Sequence, residues 1–415
     1  MHIKTSYLLT AALLTAAMGA SAQPAETLTV ATLNVDGLPL NILGVEINAD
    51  GPGSAGSSRI GEYLKDKGYD IIMMQEDFNF HEEIKAQLDA DYGLDEWSGG
   101  IEVDEADFMY WLTHRFTCDG LMAAWKTGTV TLSETEPERT AWTANYGRFD
   151  HALDEMATKG FRRYEMRLQT GTEIVAYNMH MDAEENADTQ SGNATGDRLA
   201  RQEQWKQLRD DIMEKLDGRP VLVMGDMNSL YFRDPIEEEF VNAIEETGKA
   251  TVADSWVILV NDGKYPEYKE NDTTPEYDAP GGEMLDKILC VNPTEGKSLL
   301  PIAYSLDSEG YAYEGKQLGD HLPVAVTLEV VETKTGIVAI KKENENFSAM
   351  ALQRKGQGKE NESKNENLKT WYTDLQGRPV SGTPKQKGIY ISNGKVIGRT
   401  AGATLANGKK IFCKY

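Results

Sequence analysis

Short apolar runs alternate with amphipathic segments over about 300 residues, from Leu28 to about Glu332. Leu28–Val35 has the β-branched content and the alternation that are typical of a strand. Ser58–Lys67 has helical spacing and is followed by Gly68, a residue that commonly ends a helix. Strands and helices in this order restrict the chain to the α/β class, in which helices pack on sheets.

The same alternation continues downstream and predicts a mixed α/β sandwich. Its strands would deliver polar residues to one edge of the sheets. The predicted strands are Asp70–Gln75, Glu173–His180, Val221–Met224, Met284–Val291 and Pro323–Val331, and the predicted long helix is Asp197–Leu216.

Gly51–Gly56 matches the pattern G-x-G-x-x-G, and Glu76 lies 20 residues beyond it. A dinucleotide-binding fingerprint follows directly on a strand, whereas Asn48–Asp50 favours a turn. Pro52 also lacks a backbone N–H donor. We therefore predict a plain loop at this motif.

Polar residues stand at the ends of the apolar strands. Taken singly, Asp and Asn are ordinary turn residues. Taken together, they would meet at one edge of an α/β sheet, which is where ligands bind in such folds. The set comprises Asn34, Gln75-Glu76, Asn178-x-His180-x-Asp182, Asp226-Met227-Asn228, Leu285-Asp286-Lys287 and Gly319-Asp320-His321.

These residue types suit the hydrolysis of a phosphoester. Glu76 and Asp320 supply hard oxygen ligands of the kind that Mg²⁺ prefers. Asp226 can orient and deprotonate a water molecule, and the reaction also needs donors for the developing negative charge. The candidate donors are Asn228, His180 and His321.

Six motifs occur in the order that is typical of the endonuclease/exonuclease/phosphatase superfamily: LNVDGLP, MMQED, NMHMD, GDMN, LDKI and GDHLP. The superfamily includes pancreatic deoxyribonuclease, abasic-site endonucleases, inositol polyphosphate 5-phosphatases and neutral sphingomyelinases. The resemblance covers Leu28–Glu332. It implies a four-layered α/β sandwich, in which two central mixed β-sheets are flanked by helices. It also implies a Mg²⁺-dependent phosphoesterase in which Mn²⁺ or Ca²⁺ can substitute.

The resemblance further implies a role for each motif residue. Glu76 matches the principal metal ligand, and Asn34 and Asp320 lie close to the metal. Asp226 matches the residue that activates the attacking water. The other matches are two groups that bind the phosphate and stabilise its transition state, and a second histidine with its orienting carboxylate: Asn228, His180, His321 and Asp286.

The net charge bears on the substrate. Lys and Arg number 42 against 67 Asp and Glu, which gives a formal charge of −25 and disfavours long-range attraction of nucleic acid. The most basic cluster is Lys159–Arg163, but a strand would place Arg162 and Arg163 on opposite faces. We therefore predict a solvated strand there rather than a DNA-binding groove.

A second basic pair lies on the predicted helix. Arg198 and Arg201 are three residues apart and share one face. Either they reach a substrate phosphate or they form ion pairs with Asp197 or Glu203.

Other segments favour a lipid substrate. Phe108–Leu112, with Trp97 and Trp125 nearby, concentrates aromatic residues that suit either a membrane interface or a core. The stretch NMHMDA with the following Arg201 resembles secreted sphingomyelinase-like members. We favour a secreted phosphodiesterase that acts on a lipid head group and contacts a membrane surface peripherally. A secreted DNase-like endonuclease is the alternative, and a non-catalytic binding protein that retains the fold is the second.

The start of the chain predicts export. Lys4, the apolar stretch Tyr7–Ala17 and Ala20–Ala22 together predict a secretory signal peptide over residues 1–22. Three dispersed cysteines are too few for a disulfide framework, so we expect core residues that allow one bridge at most. They are Cys118, Cys290 and Cys413.

The rest of the chain divides into a predicted catalytic domain at 23–333, a polar linker at 334–369 and a small C-terminal β module at 370–415. Asn393-Gly394 and Asn407-Gly408 are hairpin signals in the module. Tyr372–Arg378 and the strand-like run after it resemble the C-terminal sorting domains of exported Bacteroidetes proteins. This resemblance implies a type IX-like secretion machinery as a partner. We expect a monomer at the cell surface or outside the cell, with the periplasm as the alternative.

Overall fold

The computed structural model describes residues 26–333 and four short strands after residue 371. Gaps in the description fall at 44, 104–109, 111–112, 134–135, 148–153, 185–193, 271, 273 and 275–279. The chain divides into two compact units, Met1–Glu343 and Asn344–Tyr415. The predicted signal peptide and the predicted polar linker lie outside the described residues.

Strands and helices alternate along the first unit, as the sequence predicts. Its first half contains β1 (Glu26–Asn34), β2 (Asn41–Ile42), β3 (Val45–Glu46), α1 (Gly53–Lys67), β4 (Ile71–Gln75), α2 (His81–Leu88), β5 (Tyr92–Leu94), β6 (Met122–Lys126), β7 (Val130–Leu132), β8 (Glu138–Ala141) and β9 (Gly160–Leu168). Its second half contains β10 (Glu173–His180), α3 (Ala194–Glu214), β11 (Val221–Asp226), a π-helical turn (Glu237–Asn242) that continues into α4 (Ala243–Glu245), β12 (Ala250–Asp254), α5 (Ser255–Leu259), a 3₁₀ turn (Pro280–Gly282), β13 (Asp286–Pro293), β14 (Lys297–Leu306), β15 (Ala312–Tyr313), β16 (Lys316–Gln317) and β17 (Val324–Glu332).

Helix α1 corrects the prediction of a plain loop at Gly51–Gly56. The helix begins at Gly53 rather than Ser58, so the second half of the glycine motif forms its first turn. Pro52 precedes the first helical residue with a helical φ of −63°, which the proline ring favours. The helix ends where predicted, because Gly68 adopts a left-handed φ of 69°.

Two mixed sheets form the centre of the first unit. One sheet has the strand order β14-β17-β1-β4-β6-β5, and the other has the order β12-β13-β11-β10-β9-β7 with β8 beside β9. Among the described pairs of each sheet one is parallel, β1 with β4 and β10 with β11. The carboxyl ends of β1 and β4 therefore lie side by side in the first sheet, and those of β10 and β11 lie side by side in the second.

Alternating side chains place the sheets between two layers of helices. In β1, Leu28 and Val30 pack against residues of the second sheet, whereas Ala31 and Leu33 pack with apolar residues of α1 and α2. The outer face of the second sheet packs against α3, α4 and α5. The layers are therefore helix, sheet, sheet and helix, and the predicted sandwich of two mixed sheets flanked by helices is confirmed.

The second unit contains a four-stranded sheet of β18 (Tyr372–Thr373), β19 (Pro379–Val380), β20 (Gly388–Ser392) and β21 (Lys395–Arg399). Ser392 at the end of β20 pairs with Lys395 at the start of β21, while the predicted hairpin signal Asn393-Gly394 itself lies outside the described residues. The second hairpin signal, Asn407-Gly408, lies outside the described residues.

Two cysteines lie in the core of the first unit. Cys118 and Cys290 are buried free thiols, in keeping with core positions, and Cys413 lies outside the described residues. In the described part of the chain, no helix combines the length and the apolar character that crossing a bilayer demands.

Candidate active site

Rows of alternate residues run between the two sheets and end in polar side chains at one edge. In β11 the row passes from Leu222 and Met224 to Asp226, and in β1 it passes from Leu28 and Val30 to Asn34. Side chains two residues apart on a strand share a face, so the same register that builds the core delivers these polar groups. The rows of β10 and β13 contribute His180 and Asp286.

A hydrogen bond joins the two sheets at this edge. Asn34 Nδ2 of the first sheet donates to Asp226 Oδ2 of the second sheet over 3.1 Å. The two residues are 192 positions apart in the chain. The fold therefore brings together motifs that the sequence places far from one another.

Strand alternation does not explain the position of the Glu76 side chain at this edge. If the strand continued in an extended conformation, the residue after Gln75 would point away from the second sheet. Its backbone is left-handed, with a φ of 56°, and this conformation redirects the side chain. Asn34 Nδ2 then donates to Glu76 Oε1 over 2.9 Å. Gly37 donates its N–H to the Glu76 carbonyl, and a Cβ at Gly37 would lie 2.4 Å from that oxygen.

Asp226 lies at the centre of the site. Its Oδ2 is 3.5 Å from His180 Nε2 and 3.7 Å from His321 Nε2, and its Oδ1 accepts the Asn228 N–H over 3.0 Å. Burial raises the pKa of Asp226, but His321 and His180 outweigh it and leave the pKa below its ordinary value. Asp226 is therefore a buried carboxylate that stays ionised.

The two histidines carry different charges. Burial and Lys159 lower the pKa of His180 to about 3, so its ring is neutral. Burial also disfavours the charged form of His321, but Asp286 and Asp226 raise its pKa well above the ordinary value. His321 Nδ1 lies 2.6 Å from Asp286 Oδ2, so an imidazolium is held between two carboxylates.

Asn228 completes the group around Asp226. Its Nδ2 donates to the Met181 carbonyl over 3.1 Å, and its own φ of 46° is left-handed. Trp142 Nε1 donates to the His180 carbonyl over 2.7 Å. These bonds fix the segment that carries His180, and unusual backbone conformations of this kind cluster at functional sites.

We call Glu76, Asp36 and Asp320 the acidic edge. Burial, and to a smaller extent the exposed Asp320, raises the pKa of Glu76 to about 7 and that of Asp36 to about 6. Asn48 donates to Asp36 Oδ1 over 2.6 Å. Sequence reasoning missed Asp36, although it follows Asn34 by two residues in the first motif.

The acidic edge suits a hard cation that keeps part of its water shell. Its carboxylates oppose one another's ionisation, and a divalent cation would relieve this repulsion. In the described part of the chain, no group of three or more His, Cys, Asp or Glu side chains is arranged to hold a metal ion. Mg²⁺ does not need such a group, because it binds through one or two carboxylates, water and substrate phosphate.

Arg162 corrects the prediction of a solvated strand at Lys159–Arg163. The strand is present and its residues alternate, but the Arg162 side chain is fully buried. Its Nε donates to Asp119 Oδ2 over 2.8 Å and its Nη1 donates to Asp95 Oδ2 over 2.8 Å. We call Arg162, Asp95 and Asp119 the arginine cluster.

The arginines of α3 form ion pairs, but with other partners than the predicted Asp197 and Glu203. Arg198 Nη2 lies 3.0 Å from Glu184 Oε1. Arg201 is fully buried and bonds to both Glu184 and Asp234. Neither guanidinium is presented as an open phosphate site.

The predicted aromatic segment is described only in part. Tyr110 is 50% exposed, and the rest of Phe108–Leu112 lies outside the described residues. Trp97 stacks on His81, and Trp125 packs against the core between the sheets. These two tryptophans therefore have packing roles.

Residues 31–296, more than half of the chain, match the Endonuclease/Exonuclease/phosphatase family. No match was found among curated protein sequences.

The solved structures to which this chain is similar include a humanized TDP2 from D. rerio. It is 16% identical and has a TM-score of 0.48, and the match covers 73% of this chain and 98% of that one. An endonuclease/exonuclease/phosphatase from Bacteroides vulgatus is 16% identical, with a TM-score of 0.46 over 74% and 100% of the two chains. The beta toxin 275-280 from Staphylococcus aureus is 16% identical, with a TM-score of 0.45 over 72% and 99%. At this level of similarity none of the three indicates the reaction of this chain.

Proposed function

Because the chain belongs to the endonuclease/exonuclease/phosphatase family, whose members hydrolyse phosphoester bonds, we propose that it is a secreted Mg²⁺-dependent phosphodiesterase of the sphingomyelinase/phospholipase C type. One observation carries the proposal. The buried Asp226 carboxylate lies 3.5 Å from His180 Nε2 and 3.7 Å from His321 Nε2, next to the acidic edge.

Each role in the proposed reaction is assigned to a residue of this chain. Asp226 accepts a proton from the attacking water, because its lowered pKa keeps it ionised. His321, held by Asp286, places a positive charge against the phosphoryl oxygens as negative charge develops. Asn228 and His180 bind and orient the phosphate as neutral groups. The bond from the water oxygen to phosphorus forms while the bond from phosphorus to the leaving oxygen breaks, and the leaving alkoxide takes a proton from solvent to become the alcohol.

A metal ion would be held by Glu76 and Asp320, with Asp36 beside them. Asn34 would act by orienting Glu76, since its Oδ1 already accepts the Asp36 N–H over 3.0 Å. When bound, Mg²⁺ polarises a phosphoryl oxygen and neutralises charge in the transition state. Mn²⁺ or Ca²⁺ would substitute at the same oxygen ligands.

Two features support a lipid head group over DNA. The arginines considered as phosphate contacts are buried or paired, which removes a basic groove from this part of the surface. The β2–β3 hairpin exposes Leu40, Leu43 and Ile47 to solvent and is tied to Asp36 through Asn48. Apolar side chains beside a phosphodiester site suit contact with a lipid surface.

The test compares two substrates under the same conditions. The full chain with Mg²⁺ should release choline phosphate from sphingomyelin vesicles, and EDTA should abolish this release. Plasmid nicking at low enzyme without choline phosphate release would replace the lipid proposal by the DNase-like alternative. Cleavage of neither substrate, nor of a small phosphodiester, would favour the non-catalytic binding protein.

We also propose export through the signal peptide at 1–22 and delivery to the cell surface or medium through the module at 370–415. The partner would be a type IX-like secretion machinery, and the chain would act as a monomer. Deleting 370–415 should leave activity in the periplasm. Unchanged extracellular activity after this deletion would refute the sorting role.

A further inference from the structure

Asp77, directly after Glu76 in the chain, forms a buried pair with a histidine. Its Oδ2 lies 2.7 Å from Nδ1 of His81, the first residue of α2. The exposed fraction is 1% for Asp77 and 3% for His81. Neither residue has a role in the proposed reaction, although Asp77 is the last residue of the MMQED motif.

Trp97 joins this pair. Besides stacking on His81 with the ring centroids 4.9 Å apart, its Nε1 donates to the Asp77 carbonyl over 2.9 Å. The Asp77 N–H donates to the Gly120 carbonyl over 2.9 Å. The side chain, the carbonyl and the N–H of Asp77 are thus held by three segments that lie apart in the chain. We call Asp77, His81 and Trp97 the Asp77 cluster.

The Asp77 cluster adjoins the residue whose backbone departs from the strand. Glu76 has a φ of 56°, which non-glycine residues adopt rarely and keep only where their surroundings hold it. The Glu76 carbonyl accepts the N–H of Gly37 over 3.1 Å and that of Phe78 over 2.8 Å. Gln75 before it is the last residue of β4, and Asp77 after it is fixed by the cluster. The turn at Glu76 is therefore held on both sides.

A role in packing alone fits the Asp77 side chain poorly. Its Oδ1 is buried, and among the residues that the structure describes none donates a hydrogen bond to it. A buried acceptor without a donor costs stability. This cost favours a role in holding the turn at Glu76 over a role in packing α2 against the sheet.

We propose that the Asp77 cluster positions Glu76 for cation binding, because it holds the left-handed turn that directs the Glu76 carboxylate to the acidic edge. Its three members are positioning residues, since they act through the backbone of Glu76 and not on the substrate. The inference rests on the proposed Mg²⁺-dependent function. Loss of such support for a metal ligand typically lowers metal affinity by about 10- to 100-fold.

The test is a calorimetric titration of the full chain with Mg²⁺ in the absence of substrate. Trp97→Phe keeps an aromatic ring against His81 but removes the hydrogen bond to the Asp77 carbonyl, so the affinity for Mg²⁺ should fall about tenfold. His81→Phe removes the partner of the Asp77 carboxylate and should lower the affinity by about tenfold or more. His81→Asn keeps a nitrogen near the position of Nδ1 and should restore part of this loss.

Tyr92→Phe is the matched control. It also removes one hydrogen bond from a side chain to a backbone carbonyl, that of Tyr69 over 2.8 Å, but Tyr69 precedes β4 whereas Glu76 follows it. The Mg²⁺ affinity of this variant should stay within about twofold of the wild type, because distant sites act independently. Urea denaturation of each variant shows that it folds and measures the loss of stability, which is all that a structural role would cause.

His81→Phe leaves the Asp77 carboxylate buried and unpaired, which threatens the fold. If this variant does not fold, the comparison of Trp97→Phe with Tyr92→Phe decides alone. An unchanged Mg²⁺ affinity in folded Trp97→Phe, an equal loss in Tyr92→Phe, or a wild-type chain that binds no Mg²⁺ overturns the inference. If the wild-type chain binds Mg²⁺ but cleaves no phosphodiester, the proposed function fails, and the affinities still decide the positioning role.

Discussion

Two groups of buried charged residues in the same fold differ in how their charges are balanced. In the arginine cluster, each side of the Arg162 guanidinium meets a carboxylate of Asp95 or Asp119 within 2.8 Å. In the acidic edge, the carboxylates lie close enough to oppose one another's ionisation, and Glu76 and Asp36 have raised pKa values. The first group has its counter-charge within the chain and serves stability. The second lacks part of its counter-charge and suits a cation.

The largest effect should come from the centre of the site. Asp226→Asn keeps the shape of the side chain but removes the charge that accepts a proton, so the rate of phosphodiester cleavage should fall roughly 10⁴-fold, which is about 5.5 kcal/mol. Steady-state kinetics with Mg²⁺ measures this loss. The free energy of unfolding should change much less, and a variant that is inactive because it unfolds would contradict the assignment.

Breaking the arginine cluster should have the reverse outcome. Arg162→Met leaves Asp95 and Asp119 buried without their partner, so the free energy of unfolding should drop by about 3–4 kcal/mol. Urea denaturation followed by tryptophan fluorescence gives this value. The exposed Arg167, on the same strand, is the control, and Arg167→Met should change stability by no more than about 0.5 kcal/mol. Loss of cleavage in folded Arg162→Met would place this cluster in the site after all.

Ionisation of the carboxylates in the acidic edge should destabilise the cation-free protein. Glu76 has an ordinary pKa of 4.5 in the unfolded chain and a pKa of about 7 in the fold, so the folded state binds the proton more tightly. The stability of the cation-free protein should therefore fall as pH rises from about 4.5 through about 7. Glu76→Gln should remove this contribution, which is about 3 kcal/mol at most at pH 8. Denaturation of both proteins in EDTA at pH 5 and pH 8 measures the difference, and parallel pH profiles would contradict the account.

The sequence predicted the sandwich because the apolar alternation that defines strands also decides which face each residue takes. Leu222, Met224 and Asp226 illustrate this. Residues two apart on a strand point to the same face, so Asp226 lies on the same face as the core residues Leu222 and Met224. Glu76 could not be placed in the same way, because its left-handed backbone breaks the period. Glu76 was predicted as a site residue from the order of the motifs instead.

The charge assignments were harder to predict. Arg162 looked like a solvated residue because a local pattern does not contain Asp95 and Asp119, which lie more than 40 positions away. The burial of Lys159 was hidden for the same reason, since its ammonium group contacts the Met181 carbonyl, 22 positions away. Long-range partners decide whether a charged residue is solvated, structural or part of a site.

The central claim is that water attacks phosphorus at the edge that holds Asp226. The most direct measurement is hydrolysis of bis(p-nitrophenyl) phosphate by the full chain in ¹⁸O-labelled water with Mg²⁺, followed by mass spectrometry of both products. The account predicts one labelled oxygen in p-nitrophenyl phosphate and none in p-nitrophenol. Label in p-nitrophenol, or no hydrolysis above the rate of Asp226→Asn, would contradict it.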